Sequence, residues 1–555
     1  MRLPYLAMTL LLWACTATTG DSSVDDSSAL ETDDVPVESV GDAPEVVFTM
    51  SPPGGTFSQN VLVRLEFAGA EPDIYYTLDG TMPNDRDEPY EGPITIAETT
   101  TLRAVAVNAD GDAIGNALVA SYVRLDPALD DFTSNLPLVV LTSDEALPSE
   151  RRSEHTPFAM QVYEPGEDGR ATLVGDADLD VRMGLKVRGS SSSSFPKKPY
   201  GVEIWSAEDD LDHSVEILGM PAESDWVLLS PLVFDRALMR NALIYELSRD
   251  IGRYAPRTRF VEVFSADRSR DLDEDDYLGV YVLMERIKRD PERVAIAGLG
   301  EDDLVEPELS GGYMWKEDRL AEGESGFTAG TAGGAFTFQQ RFVLVDPKEE
   351  EVRAQQESYL EDLLDDFGDT LNQGDSVEGF IDADAFVDHH ILNTYAKNPD
   401  AFRLSGYFHK DREGLIHAGP IWDFDRTMGC AQDWRASEPT WWDPTNLTTD
   451  TTDFFAHGWW LGLFRDPGFT ALWVERWRSV LANELSVDTV NAKVDRMAEE
   501  LSEAAPRNFA RWSDYPPRDG GDFAYEVELL KDWLTARHGW ISACIEGDDP
   551  LACTG

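Results

Sequence analysis

The sequence predicts an α+β protein preceded by a small antiparallel β-sandwich, and three observations carry the prediction. Short alternating apolar runs, broken by turn residues every 8–12 positions or so, fill residues 45–125. Strand-like runs then recur from about Asp131 to Met284. The second half is mainly helical in its periodicity, with one hairpin-like unit inside it. Strands first and helices afterwards imply a smaller β-rich lobe, a larger helical lobe and a cleft between them.

The chain has 555 residues, with 105 Asp and Glu against 46 Lys and Arg, a formal net charge of −59. Such a chain repels phosphate backbones unless a basic stripe overrides the field, and no stretch supplies one. Nucleic-acid binding and electrostatic docking to an anionic membrane are excluded as readings. Partners are neutral, cationic, or held through metal ions.

Residues 1–15 combine Arg2, an apolar run from Leu6 to Ala14, and Cys15. Leu12, Ala14 and Cys15 fit a bacterial lipoprotein signal in which Cys15 carries the lipid. The alternative is an ordinary signal peptide that contains a Cys. Either reading predicts secretion, and the first a lipid anchor in the cell envelope. The apolar run is too short to span a bilayer as a mature helix. Residues 16–44 hold eight acids and no Lys or Arg, which predicts a disordered acidic tether.

Within 45–125, Val61–Phe67, Ile74–Leu78, Pro93–Ile96 and Thr101–Val107 read as strands. Ser51-Pro-Pro-Gly-Gly-Thr-Phe57, Ile74-Tyr-Tyr-Thr-Leu-Asp-Gly-Thr-Met-Pro83 and Thr101-Leu-Arg-Ala-Val-Ala106 resemble the chitobiase/β-hexosaminidase C-terminal-type module. The resemblance implies an accessory domain, acting as a spacer or as a polysaccharide contact.

Next come strand-like runs at Leu136–Leu141, Leu185–Arg188, Tyr200–Ile204, Trp226–Leu229, Phe260–Phe264 and Tyr277–Met284. Ala237–Arg249 reads as an amphipathic helix. Further helices are predicted over Val352–Leu371, Ala383–Tyr395, Pro467–Glu484, Thr489–Ser502 and Tyr525–Trp540, and a hairpin over Ser405–Lys410 and Leu415–Asp425. The body is expected to run over 131–545, followed by a short tail at 546–555. Cys544 and Cys553 bracket a short polar loop and read as a disulfide in an oxidising compartment, which leaves Cys430 free. No Cys/His spacing resembles a zinc site.

Four segments carry candidate chemistry. Ile421-Trp-Asp423-Phe-Asp425 ends an apolar run, and period 2 places Asp423 and Asp425 on one side of a strand. Two carboxylates there suit a hard cation such as Mg²⁺ or Mn²⁺. The flanking apolar residues argue for a buried setting. Asn398-Pro-Asp400 follows a helix and reads either as a turn or as a carboxylate brought back beside Asp423. Arg188 opens a five-serine loop that ends in Lys197-Lys198. The loop suits the covering of a phosphate chain, or a plain surface loop, and it is not a Walker A sequence. Glu285 ends an apolar strand, where it can orient a cleft Lys or form a strand-edge ion pair.

These segments, with Leu238-Met-Arg240-Asn241-Ala242 and Gly311-Gly-Tyr, occur in an order that resembles the CotH (spore coat protein H) kinase family. The resemblance implies a divergent protein-kinase-like, two-lobed domain acting as a metal-dependent atypical kinase. It implies ATP with Mg²⁺ or Mn²⁺ as cofactor, and Ser or Thr of a surface or envelope protein as acceptor. The acidity of the chain suits a basic, Ser-rich acceptor. By the same resemblance Asp400 is the catalytic Asp and Asp423 the metal ligand, with Asp425 a second ligand or a support to it. Lys198 or Lys197 contacts phosphates with Glu285 as its partner, Arg188 belongs to the same cofactor-binding set, and Arg240-Asn241 is a helix signature. Many members carry an Asn where this chain has Ser405-Gly406. That departure leaves open an inert kinase-like surface lipoprotein with a binding or structural role. A glycosidase, using the carboxylates and the fifteen Trp, is a third and weaker reading.

Overall fold

The computed structural model describes residues 48–68, 72–320, 326–329, 341–444 and 451–553. The expected signal segment, Cys15 and the acidic tether lie outside the described residues. Val46–Gly555 forms one compact unit.

The first strands are β1 (Phe48–Ser51), β2 (Gly55–Phe57), β3 (Val61–Phe67), β4 (Asp73–Thr77), β5 (Glu88–Pro89), β6 (Ile94–Ile96), β7 (Thr100–Val107) and β8 (Leu118–Arg124). Alternation does in β3 what period 2 requires: Val63 and Leu65 are buried while Leu62, Arg64 and Glu66 face solvent. One sheet runs β1-β3-β6 and the facing one holds β2-β8-β7-β4-β5. Val63, Leu65, Ile94, Ile96, Leu102 and Tyr122 fill the space between them.

Strands β9 (Thr133–Ser134), β10 (Leu138–Ser143), β11 (Thr156–Tyr163), β12 (Ala171–Thr172), β13 (Gly175–Asp176), β14 (Leu179–Val187), β15 (Tyr200–Trp205), β16 (Val215–Ile217), β17 (Met220–Glu223) and β18 (Asp225–Leu229) come next. Helix α1 (Arg240–Asp250), β19 (Thr258–Asp267) and β20 (Tyr277–Glu285) follow. Among the described residues, seven strands close into a barrel in the order β10-β11-β14-β15-β18-β20-β19. The seam pairs β10 with β19 in parallel; the other barrel neighbours are antiparallel. Leu141, Met160, Met183, Ile204, Trp226, Leu228 and Leu283 point inward. The outer faces of β18 and β20 are also apolar: Val227, Val280, Val282 and Met284 join the core of the helical half. Burial on both faces explains why β20 reads as a continuous apolar run.

β13 pairs with β2, so a strand from the barrel region completes a sheet of the sandwich. Asp180 of β14 reaches across the same junction and accepts from the Ser121 N–H at 2.6 Å. It lies so close to Gly54 that a Cβ there would sit 1.7 Å from Oδ2.

The helical half contains β21 (Tyr313–Glu317), β22 (Phe327–Thr328), β23 (Arg341–Asp346), α2 (Ala354–Gln373), α3 (Ala383–Ala396), β24 (Gly406–Lys410) and β25 (Ile416–Ala418). Helices α4 (Trp459–Leu463), α5 (Pro467–Ala482), α6 (Val487–Leu501), α7 (Ala504–Arg511) and α8 (Phe523–Glu546) follow. Five strands form the sheet β22-β23-β21-β24-β25. Trp459, Trp473 and Trp477 are buried in the core, as packing residues should be. Among the described residues no helix is long and apolar enough to cross a membrane. Cys544 and Cys553 form the expected disulfide, and Cys430 is free and buried.

The predicted helices stand within about three residues of those observed, except that α8 runs on past Trp540 to Glu546. The predicted strand Leu415–Asp425 does not: pairing stops at Ala418, and the chain leaves the sheet at Gly419-Pro420. Strands β11, β21 and β23 and the short helices α4 and α7 lie outside the sequence reading.

Burial pushes the Asp180 carboxyl up to about 7. Its folded pKa stands above its unfolded one, so folding favours the protonated form. That stabilisation is complete below about pH 4, the ordinary Asp value, and is lost as pH rises to about 7. Melting curves of the native chain and Asp180→Asn should therefore diverge between pH 4 and 7, with the native chain losing ground, and run parallel above.

Candidate active site

The segment after β25 forms the floor of the candidate site. Gly419 donates its N–H to Tyr407 O at 2.7 Å and ends the sheet. Trp422 then lies against Tyr245 with ring centroids 6.1 Å apart, and the Arg188 guanidinium covers it at 4.9 Å. Asp423 adopts a left-handed backbone, φ +67°, and Phe424 is fully buried. An L-residue held there needs support from its surroundings.

Helix α1 provides it. The Asp423 N–H donates to Tyr245 Oη at 3.2 Å, and the Phe424 N–H donates to Asn241 Oδ1 at 2.8 Å. Tyr245 O–H donates to the same Asn241 oxygen at 3.0 Å. Arg240 bonds Asp235 at 2.6 Å and donates to the carbonyls of Thr427 and Met428 at 3.0 and 3.2 Å. Arg240 and Asn241 are therefore buried behind the acidic segment, with the Arg240 guanidinium and the Asn241 carbonyl oxygen engaged by the protein. They fasten the site from behind.

Asp423 and Asp425 come together, though not as alternate residues of a strand. Asp423 is open to solvent and Asp425 is half-buried, so the expected fully buried setting holds for Phe424 between them and not for Asp423. Neither carboxylate has an ion pair among the described residues. Protein mass around Asp423 raises its pKa, and the Asp400 carboxylate pushes the same way; Arg426 and Arg188 oppose. Asp425 is raised well above the usual carboxylate range, by burial first and by Asp423 second. Solvent reaches Asp423, so the desolvation there is partial. The uncompensated negative charge is what a hard cation would neutralise, and the donor set fits one in kind. Among the described residues no cluster of three or more His, Cys, Asp or Glu is arranged to hold a metal ion.

Asp400 follows the end of α3, where the Asn398 side chain accepts from its N–H at 3.1 Å. Its field reaches Asp423 and Asp425. Its carboxylate is held by Arg403 and, at 3.3 Å, by Arg435. Arg435 also grips Asp433 at 2.6 Å. Asp400 is thus a fixed carboxylate facing the acidic segment.

The serine loop between β14 and β15 bends over the same place. Ser191 Oγ meets Arg426 at 3.3 Å, and Phe195 packs on Phe234, whose ring lies 4.0 Å beneath the Arg426 guanidinium. The two lysines diverge. Lys198 is half-exposed and donates to Ser193 O at 2.7 Å. Lys197 is 1% exposed; it donates to Val280 O and to Asn508 Oδ1, the latter at 2.8 Å, and burial drives its pKa well down. Asn508 reaches β20 because Gly279, at φ +97°, has no Cβ, which would lie 2.4 Å from Oδ1.

Glu285 partners neither lysine. It is fully buried, accepts from Arg257 at 2.5 Å and from Tyr254 at 3.1 Å, and has Arg293 at 3.8 Å. The Lys–Glu pair read from the sequence is absent because Glu285 takes the side of β20 that Tyr281 and Leu283 take, at the end of the barrel, where Arg257, Tyr254 and Arg293 occupy it. Its neighbour Arg286 faces the other way and pairs with Asp225 at 2.8 Å, with Tyr407 adding to its local field. Strand alternation placed the two on opposite sides, a signal present in the sequence. Arg426 and Arg435 were also missed, and no periodicity marks them; Tyr245 was read only as an apolar position of its helix, although its spacing of four from Asn241 puts the two on one face.

Comparison with known families places these elements in context. The family model for CotH kinase protein matches residues 185–541, and that for the chitobiase/beta-hexosaminidase C-terminal domain matches residues 52–115. A search of curated proteins finds no match.

The hydrogen bonds of Asn241 generate a stability prediction. Asn241→Leu strands the buried Phe424 N–H and should cost about 1–3 kcal/mol in urea unfolding. Lys198→Ala, on the loop surface, should stay within about 0.5 kcal/mol of the native chain.

Proposed function

The chain belongs to the CotH kinase family, and from that premise we propose that it is a metal-dependent atypical protein kinase. It transfers the ATP γ-phosphoryl group to Ser or Thr of extracytoplasmic or surface proteins. The observation that carries the reading is the unpaired Asp423–Asp425 couple beside Arg188 and Arg426, with Asp400 facing it and the serine loop above.

Asp423 and Asp425 would hold Mg²⁺ or Mn²⁺, and the ion would supply charge neutralisation for the nucleotide's phosphates. Arg188 and Arg426 supply the local positive charge that lets a polyanion approach a chain of net −59. Lys198, half-exposed on the loop, is the lysine placed to meet phosphate; Lys197 is not. Asp400 accepts a hydrogen bond from the acceptor hydroxyl and orients it, while Arg403 and Arg435 hold that carboxylate in place. We further propose secretion behind the N-terminal signal, anchoring through a lipid on Cys15, and a polysaccharide or spacer role for the sandwich over 45–125. The kinase-like body would span 131–545, and its acceptor would be a basic, Ser-rich envelope protein.

A second reading, an inert kinase-like binding lipoprotein, draws on Ser405-Gly406. Ser405 sits at φ +53° before β24 and offers only a hydroxyl where an amide carbonyl would ligate more strongly.

Calorimetry of the chain with ATP, with and without Mn²⁺, separates the two. The kinase reading expects Mn²⁺-dependent nucleotide binding, abolished by Asp423→Ala and weakened about tenfold by Arg188→Ala through loss of roughly 1.4 kcal/mol. Binding that is independent of Mn²⁺, or unchanged in Asp423→Ala, removes the site assignment. No nucleotide binding at all favours the inert reading.

A further inference from the structure

The serine loop is chemically unlike the rest of the chain. From Val181 to Val202 there are five basic residues and no acid, in a protein of net charge −59. Five consecutive serines, Ser190 to Ser194, stand inside that stretch. A basic, Ser-rich segment is the acceptor chemistry proposed above, and here one is folded against the candidate active site.

The five hydroxyls are not equivalent. Ser193 Oγ and Ser194 Oγ donate to the carbonyls of Ser190 and Ser191, each at 2.7 Å, and close the loop on itself. Ser192 is tucked toward Gly189, where a Cβ would sit 2.1 Å from its Oγ. Ser191 is exposed, and its hydroxyl makes no capping bond to the short turn over 192–194 that follows it. Instead its Oγ accepts from Arg426 at 3.3 Å. Of the five, it is the one whose hydroxyl meets a side chain of the site.

From Arg426 the contacts run on to Asp400. Arg426 stands 3.5 Å from Asp433, which Arg435 grips at 2.6 Å, and Arg435 reaches Asp400 at 3.3 Å. The Arg426–Asp433 contact is the looser of the two, so the Arg426 guanidinium is available to a stronger anion. A phosphate dianion on Ser191 is such an anion, because its bonds to a guanidinium are charge-assisted where the hydroxyl's are not. Arg426 has a second duty. Burial and then neighbouring carboxylates raise the pKa of Asp423 and Asp425, and Arg426 opposes both.

We propose that Ser191 is a self-phosphorylation site, with Arg426 as the seat of the new phosphate. The inference rests on the kinase reading. Ser191 Oγ forms a bond to the γ-phosphorus of ATP as the bond from that phosphorus to the β,γ-bridging oxygen breaks. ADP departs with the bonding electrons, and the hydroxyl proton passes to Asp400 and on to solvent. The phosphate then draws Arg426 away from Asp423 and Asp425 and adds negative charge beside them. The modified chain therefore binds nucleotide more weakly, and the site restrains itself.

The full chain, first treated with a phosphatase, is incubated with Mn²⁺ and ATP, and its phosphorylated residues are mapped by mass spectrometry. Mn²⁺-dependent ATP binding is measured calorimetrically in parallel. Phosphate on Ser191 is expected, with none in Asp423→Ala incubated alone. ATP should bind about tenfold more weakly to Ser191→Asp than to Ser191→Asn, which differs from it by the charge. Phosphate on other residues with Ser191 unmodified overturns the proposal and leaves the kinase reading standing. ATP binding with no phosphate incorporated anywhere overturns the proposal and the transfer step together, and absence of ATP binding removes the whole reading. Equal affinity of Ser191→Asp and Ser191→Asn overturns the restraint assigned to the phosphate.

Discussion

The geometry of the acidic segment depends on one hydrogen-bonded relay. Asp423 and Phe424 leave the sheet with two backbone N–H groups that no strand can satisfy, and with Asp423 in a left-handed conformation. Tyr245 Oη accepts from the first N–H and donates its own O–H to Asn241 Oδ1, which also accepts from the second N–H. Tyr245 and Asn241 stand four residues apart, so they share one face of α1. The Tyr245 oxygen accepts once and donates once, and the Asn241 carbonyl accepts twice. The amide cannot be flipped without losing both bonds.

Arg240 extends the same dependence by four residues. Its guanidinium is fully buried, paired with Asp235, and spread over the carbonyls of Thr427 and Met428. A buried guanidinium is retained at a cost unless every donor finds a partner. Here its partners are the turn that closes the acidic segment. Helix α1 also buries Ala242, Leu243 and Leu247 in the large core. The position of α1 therefore sets the position of Asp423, and the helix acts on the site without touching its open side.

The sequence made much of this legible and left specific parts hidden. Helices α3, α5 and α6 were read within a few residues, and α8 at its start, because apolar periodicity over twelve or more residues survives tertiary context. Asp400, Asp423 and Asp425 were found as a set. The failures share a cause: alternation says that two residues face opposite ways and does not say which way is inward. Lys197 and Lys198 were thus interchangeable on paper, and Glu285 was given a lysine partner that its side of β20 does not face. The strand assumed through Asp425 failed because Gly419-Pro420 ends pairing, after which period 2 has no meaning. The arginines on Asp400 were invisible because Arg435 arrives 35 residues later from an irregular stretch.

The barrel seam has a kinetic side. Strand β10 ends at Ser143, yet its parallel partner β19 begins at Thr258, so more than a hundred residues must be made before the ring can shut. Until then β10 presents a bare edge of unpaired N–H and C=O groups, the kind of surface that recruits strands from other chains. Non-local parallel pairing of this sort is slow to form, since the loop must close before any bond rewards it. The native protein hides the liability completely once the seam is made. A nascent chain carries it throughout synthesis of the segment between, and any product cut short before Thr258 would keep an open sheet for life.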